Sequence, residues 1–278
     1  MIDYHTHVGT EEHWGPRFIA ESRKMRASGI SIATTLPQHR AATAQLERCV
    51  VLAFKSIALG FEVPNDYVAE YVRSDPQRFI GFLSVDPHDP GALEELRHAH
   101  RDLGLRGIKM SSVYQAFHPM DPRVLPIYAY ADRHGLPLLL HQGTTFPQQA
   151  PLRYARPSLL EDVALAFPEL RIIIAHLGHP WEVETIAVVR KQPHVWSDIS
   201  GLFYRPWQLY NSLLLCQEYG VMEKLLFGSD FPVATAEETA AGLRAIVGLP
   251  QGTHFPSVDP ERIEALIARD ALAELNLT

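Results

Sequence analysis

Eight short, almost uninterrupted apolar runs recur along the 278-residue chain, with longer amphipathic stretches between them. The runs are residues 2–5, 30–36, 79–85, 106–110, 137–141, 171–176, 194–199 and 224–230. Near-continuous apolarity marks strands buried on both faces, and their alternation with helical segments points to a parallel sheet. Helical periodicity covers 91–103, 123–134, 159–167, 181–190, 236–247 and 261–275. Asp89-Pro90, Asp121-Pro122 and Asp259-Pro260 supply helix-start chemistry. Eight is the number of strands that closes a (β/α)8 barrel. An open doubly wound sheet gives the same alternation, but no GxGxxG follows the first run. The predicted fold is therefore α/β, a (β/α)8 TIM barrel forming a single domain over residues 1–278. The least regular stretches are 9–17, 143–157 and 248–256, and two of them follow strands at the end where barrel loops build a pocket.

Composition narrows the function classes. With 46% hydrophobic and 21% charged residues, the chain is neither disordered nor fibrous. The net charge is −7 and no dense Lys/Arg block occurs, which argues against nucleic acid. Cys49 and Cys216 are far apart and outside any CxxC, so a disulfide framework or thiolate site is not expected, and a reducing cytoplasm fits. No apolar stretch reaches the ~18–20 residues that span a bilayer. The opening MIDYHTHVG lacks the basic and apolar regions of a signal peptide. The expected setting is cytoplasmic, with a small-molecule substrate and no membrane or nucleic-acid partner. Residues 50–53 read as the apolar outer face of a helix, compatible with a homo-oligomer.

The 14 histidines are the unusual count, and several sit at strand ends. His5 and His7 alternate on the first strand and so face the same way. Two imidazoles on one side of a strand make a clamp for a divalent metal. His141 ends the fifth run, His176 the sixth and Asp230 the eighth. In a barrel all parallel strands end at one mouth, so these side chains converge there. A lone histidine at a strand end is commonly structural; four such ends together are not so easily explained. Lys109 ends the fourth run.

The segments DYHTHVG (3–9), RGIKM (106–110), GLPLLLHQG (135–143), IAHLGHPW (174–181) and KLLFGSDFP (224–232) resemble the amidohydrolase superfamily. The likeness is to its amidohydrolase-2 branch, which includes aminocarboxymuconate-semialdehyde decarboxylase and related decarboxylases, lactonases and hydratases. It covers essentially the whole chain. The resemblance implies that His5, His7, His141 and Asp230 bind one divalent ion, with His176 beside it as acid/base or polarising residue. Zinc is the ion implied, and ligands without thiolate admit manganese, iron or cobalt. Lys109 is either an unmodified lysine near the substrate or a carbamylated bridge between two metals; the GIKM context favours the first.

Such a site makes hydroxide from bound water at neutral pH. Asp230 would take the proton and His176 would polarise a carbonyl. The leading expectation is a metal-dependent hydrolase of a small, carboxylated ester, lactone or amide. The alternative is a lyase on the same ligands, a non-oxidative decarboxylase or hydratase of an aromatic-breakdown intermediate. The modest length favours hydrolysis. A third reading is a metal-free barrel that only binds a ligand. Arg205 is the expected substrate-carboxylate contact, with Arg17 and Arg40 as other candidates. Trp14, Phe146 and Tyr204 are candidate apolar walls. His179 either supports the site or caps the following helix. The remaining histidines are given no role, His39 being read as a loop residue.

Overall fold

A computed structural model of the chain describes residues 1–24 and 29–278. The strands are β1 (Ile2–His7), β2 (Arg48–Leu52), β3 (Phe54–Ser56), β4 (Phe61–Val63), β5 (Phe79–Leu83), β6 (Gly107–Ser111), β7 (Leu138–His141), β8 (Ile172–Ile174), β9 (Val195–Asp198) and β10 (Leu225–Leu226). The helices are α1 (Glu11–Ser22), α2 (Leu36–Ala42), α3 (Asn65–Arg73), α4 (Ala92–Arg101), α5 (Leu125–His134), α6 (Leu160–Ala166), α7 (Glu182–Lys191), α8 (Pro206–Glu218), α9 (Ala236–Ala245) and α10 (Pro260–Ala268). Eight strands form one parallel sheet in the order β1-β2-β5-β6-β7-β8-β9-β10. Its two ends meet. Tyr4 N donates to Phe227 O at 3.0 Å, Asp230 N to His5 O at 2.8 Å and His7 N to Phe231 O at 2.7 Å. The sheet is thus the expected barrel, and β3 and β4 form a separate antiparallel hairpin above β2.

Two apolar layers hold it together. Outward side chains such as Cys49, Val51, Phe79, Ile108 and Ile172 pack beneath the helices. Inward ones, including Ile2, Tyr4, Val50, Phe82, Leu139, Ile173 and Trp196, fill the barrel with Ala271, Leu272, Leu275 and Leu277 from the tail. The tail plugs the end opposite the strand C-termini, and Tyr4 Oη accepts Ala271 N at 2.7 Å.

The second strand is not residues 30–36. There only Thr34 pairs, in an isolated bridge to Gly9, and Thr35 caps α2 in a reciprocal box with Gln38. The strand is Arg48–Leu52, so residues 50–53 are buried barrel rather than an outer helix face. Residues 9–17 are largely helical, since α1 starts at Glu11 and runs on through a break at Gly15 (φ 71°). The closing helix stops at Ala268, because the residues beyond it turn under the barrel.

A shift in strand register decides what enters the mouth. Asp3 aligns with Cys49 but Thr6 with Val51, so β1 carries one extra residue between them. Tyr4 packs in the inner layer, yet Thr6 faces outward to His39 Nε2 at 2.9 Å. Without the bulge, a strand that turns Ile2 and Tyr4 inward would turn His5 and His7 out. Asp3 stabilises the bulge: its Oδ1 accepts His5 N and Ser229 N, each at 3.0 Å.

Candidate metal centre and cavity

At the strand C-termini, β1, β6, β7, β8 and β10 deliver His5, His7, Lys109, His141, His176 and Asp230 to one place. His5 Nε2 and His7 Nε2 face each other at 3.2 Å, and Asp230 Oδ1 is 3.4 Å from both. One atom each from His5, His176 and Asp230 lies within 4.8 Å of the others. The His141 ring is 5.0 Å from that of His176, centre to centre. His176 and Asp230 sit just past their strands in left-handed backbone, at φ 56° and 61°. A non-glycine residue is rarely held there, and such positions cluster at functional sites.

Hydrogen bonding fixes the tautomers. His5 Nδ1 lies 2.9 Å from Asp198 Oδ2, His176 Nδ1 3.0 Å from Ser200 O, and His141 Nε2 2.9 Å from Thr144 O. Each oxygen can only accept, so each of these nitrogens carries the hydrogen, and in a neutral ring the opposite one keeps a lone pair. Asp198 also accepts His176 N at 3.0 Å, Ser200 N at 3.1 Å and Ser200 Oγ at 2.5 Å. It therefore aligns two of the histidines, as outer carboxylates do around metal-binding imidazoles.

The cluster is rich in lone pairs and poor in donors. Burial, and then Lys109, push His5 down to about 3, so it is neutral. Burial, His176 and Lys109 lower His141 far below the ordinary histidine value. Burial alone would raise Asp230, but His176, His7 and His5 hold it below the usual carboxylate range. Among the described residues one cation reaches the group: Lys109 Nζ, 3.1 Å from His5 Nε2, with burial lowering it to about 8. The His5 and His7 imidazoles and an ionised Asp230 within 3.4 Å of one another, with an ammonium resting against His5, fit a divalent cation without thiolate ligands.

The group forms the floor of a cavity of about 350 Å³. Its walls include Trp14, Phe18, Phe54, Tyr114 and Phe146. The Trp14 and Phe18 rings stack at 5.4 Å, and Tyr114 meets His141 edge-on at 4.8 Å. The β3–β4 hairpin supplies Phe54 and is tied down by Lys55, whose Nζ is 3.0 Å from Asp89 and 2.9 Å from Glu95. Tyr204, Arg205 and His179 also line the space.

Arg17 and Arg40 do not line it. Arg17 pairs with Glu21 on α1 at 3.6 Å, and Arg40 sits by Asp75 and over Tyr71. Sequence reasoning missed Asp198, Ser200, Lys24 and Tyr114. Asp198 had only a partial signal, an acid one residue before the end of the 194–199 run. His39 is no loop residue: it is buried between Tyr71 Oη and Thr6 Oγ1, each at 2.9 Å.

A family model described as Amidohydrolase (Amidohydro_2) matches residues 2–251. A 2-amino-3-carboxymuconate-6-semialdehyde decarboxylase of Dictyostelium discoideum is 32% identical over 130 residues, 41% of this chain and 36% of that protein. A gamma-resorcylate decarboxylase of Rhodococcus jostii is 28% identical over 144 residues, 41% of this chain and 44% of that one. The alignments thus span less than half of either relative's length. A solved 5-carboxyvanillate decarboxylase of Novosphingobium aromaticivorans, complexed with manganese and a nitrobenzoic acid, superposes with TM-score 0.67 at 16% identity, covering 99% of this chain and 96% of that one. It shares the barrel. These relatives overturn the expectation of hydrolysis: the two curated relatives named above are both decarboxylases. Chain length was no guide to the reaction.

Proposed function

Since the chain belongs to the Amidohydrolase family whose model spans residues 2–251, we propose that it is a divalent-metal-dependent carboxy-lyase acting on a small aromatic or conjugated acid. The observation that carries this is the floor of lone pairs, His5 and His7 facing at 3.2 Å with Asp230 at 3.4 Å from each. The decarboxylase relatives support the choice of reaction. His5, His7, His141 and Asp230 are the ligands, with His176 alongside. The donor set accepts zinc or manganese, and the manganese of the structural neighbour favours the second. Bound there, such an ion supplies Lewis-acid polarisation of a substrate oxygen.

The protein does the rest. The aromatic walls clamp a flat ring and exclude water. Lys109 contacts the substrate's oxygen substituents beside the floor. In the reaction the bond to the carboxylate carbon breaks, the ring carbon takes a proton, and CO2 leaves. Asp230, ionised at rest, is the carboxyl placed to take that proton from water and hand it to the ring carbon, with the Nε2 of His176 as relay. The buried, unpaired thiols of Cys49 and Cys216 support a cytoplasmic setting.

Hydroxybenzoates and a carboxyvanillate incubated with manganese- or zinc-loaded protein test the reading. Chelator-sensitive CO2 release is expected. Turnover that survives complete metal removal, or metal-loaded protein releasing no CO2 from any member of the panel, would contradict it.

A further inference from the structure

The wall facing away from the floor carries chemistry that the reaction leaves unused. Among the described residues, the cavity lining holds three cations, Lys24, Lys109 and Arg205, against one carboxylate, Asp230. Lys109 and Asp230 belong to the floor; Lys24 and Arg205 lie outside it. Arg205 spends one donor on Gly201 O at 3.2 Å and lies 4.4 Å over the Tyr204 ring. That stacking holds a planar fork in place, with donors remaining on the cavity side.

His179 lines the cavity too, and a chain of hydrogen bonds sets its proton. Gln208 Nε2 bonds the buried Glu182 carboxylate and lies 3.0 Å from His179 Nδ1. A carboxylate only accepts, so Gln208 must turn its NH2 towards Glu182. The same NH2 then donates to His179 Nδ1. The hydrogen of the neutral ring therefore sits on Nε2, as a donor. Burial, with Arg205 and His176 nearby, keeps the ring from charging, at about 3. The segment is also tightly held: Thr144 N donates to His179 O at 2.8 Å, and a Cβ on Gly143 would come within 2.7 Å of that oxygen.

Resting on the carboxy-lyase reading, we propose that this wall binds a second carboxylate of the substrate, gripped by the Arg205 guanidinium and the Nε2–H of His179. The substrate is then a dicarboxylic acid: one carboxylate is lost at the floor and the other stays on the wall. Glu182 and Gln208 are positioning residues that act through His179.

Calorimetry with manganese-loaded protein tests this, using benzoate and isophthalate as mono- and dicarboxylate probes. The wild type is expected to bind isophthalate at least about tenfold more tightly, the scale of one charge-assisted hydrogen bond. His179→Phe and Arg205→Met should each collapse that preference to about twofold or less, with the loss falling on isophthalate. His179→Gln, which restores a donor, should keep most of it. Gln208→Leu should lower it and move the His179 ring 15N signals away from the Nε2–H tautomer. No preference in the wild type, or an undiminished one in His179→Phe, overturns the assignment. The preference is read from binding alone. A wild-type preference without CO2 release sinks the carboxy-lyase reading and upholds the wall; CO2 release without a preference sinks only the wall.

Discussion

Asp198 shows how one side chain organises a site it does not enter. Its two oxygens accept from His5 Nδ1, His176 N, Ser200 N and Ser200 Oγ, and it is fully buried. Burial by itself would raise its carboxyl, but the His5 contact, then His176 and Ser200, hold it below the ordinary range. An amide in its place would offer NH2 to groups that are themselves donors. Asp198→Asn is therefore expected to weaken manganese or zinc binding by about ten- to a hundredfold, the usual effect of losing an outer carboxylate. Chelator competition on folded protein measures it, and an unchanged affinity would show that Asp198 does not set the His5 tautomer.

The bulge in β1 is where an element, rather than a residue, makes the site. Asp3 Oδ1 satisfies His5 N and Ser229 N across the seam that closes the barrel. Asp3→Ala would leave both buried donors unmatched, costing about 2–6 kcal/mol at about 1–3 per group. Asp3→Asn keeps an acceptor there and should cost far less. Urea unfolding of the two variants decides; equal losses would mean that the acceptor is not what matters. This element also marks how far the sequence could be read. His141, His176 and Asp230 were legible because each is a polar stop after an apolar run. Asp198 obeys the same rule, but Ile199 continues its run and hides the stop. A four-residue apolar run such as 50–53 carries no period of its own, so helix and strand look alike there. The bulge was invisible: simple alternation puts His5 and His7 together, but which way they point depends on Tyr4, and that is settled only when the barrel closes.

For the whole molecule, the buried neutral histidines tie stability to pH. His39 is pushed down to about 3 by burial, then by Arg78, His7 and Arg40, against 6.5 for a free imidazole. Above pH 6.5 neither the folded nor the unfolded form carries the proton, and nothing is lost. Between 6.5 and 3 only the unfolded chain takes it up, so stability falls as pH drops, by about 1.4 kcal/mol per pH unit for this one group. Comparing urea midpoints at pH 7.5 and 5.0, His39→Gln should show a shallower fall than wild type, though it starts less stable for want of the Tyr71 and Thr6 contacts. Identical falls would mean that His39 titrates freely in the folded protein. The central claim is that a closed barrel gathers ligands from the ends of three strands, β1, β7 and β10, onto one cation. A crystal of the manganese-loaded protein, with diffraction collected at the manganese absorption edge, tests it most directly. One anomalous peak is expected per chain, within about 2.0–2.3 Å of His5 Nε2, His7 Nε2 and an Asp230 oxygen. A peak elsewhere, or none at this floor in protein shown to be loaded, would contradict the account.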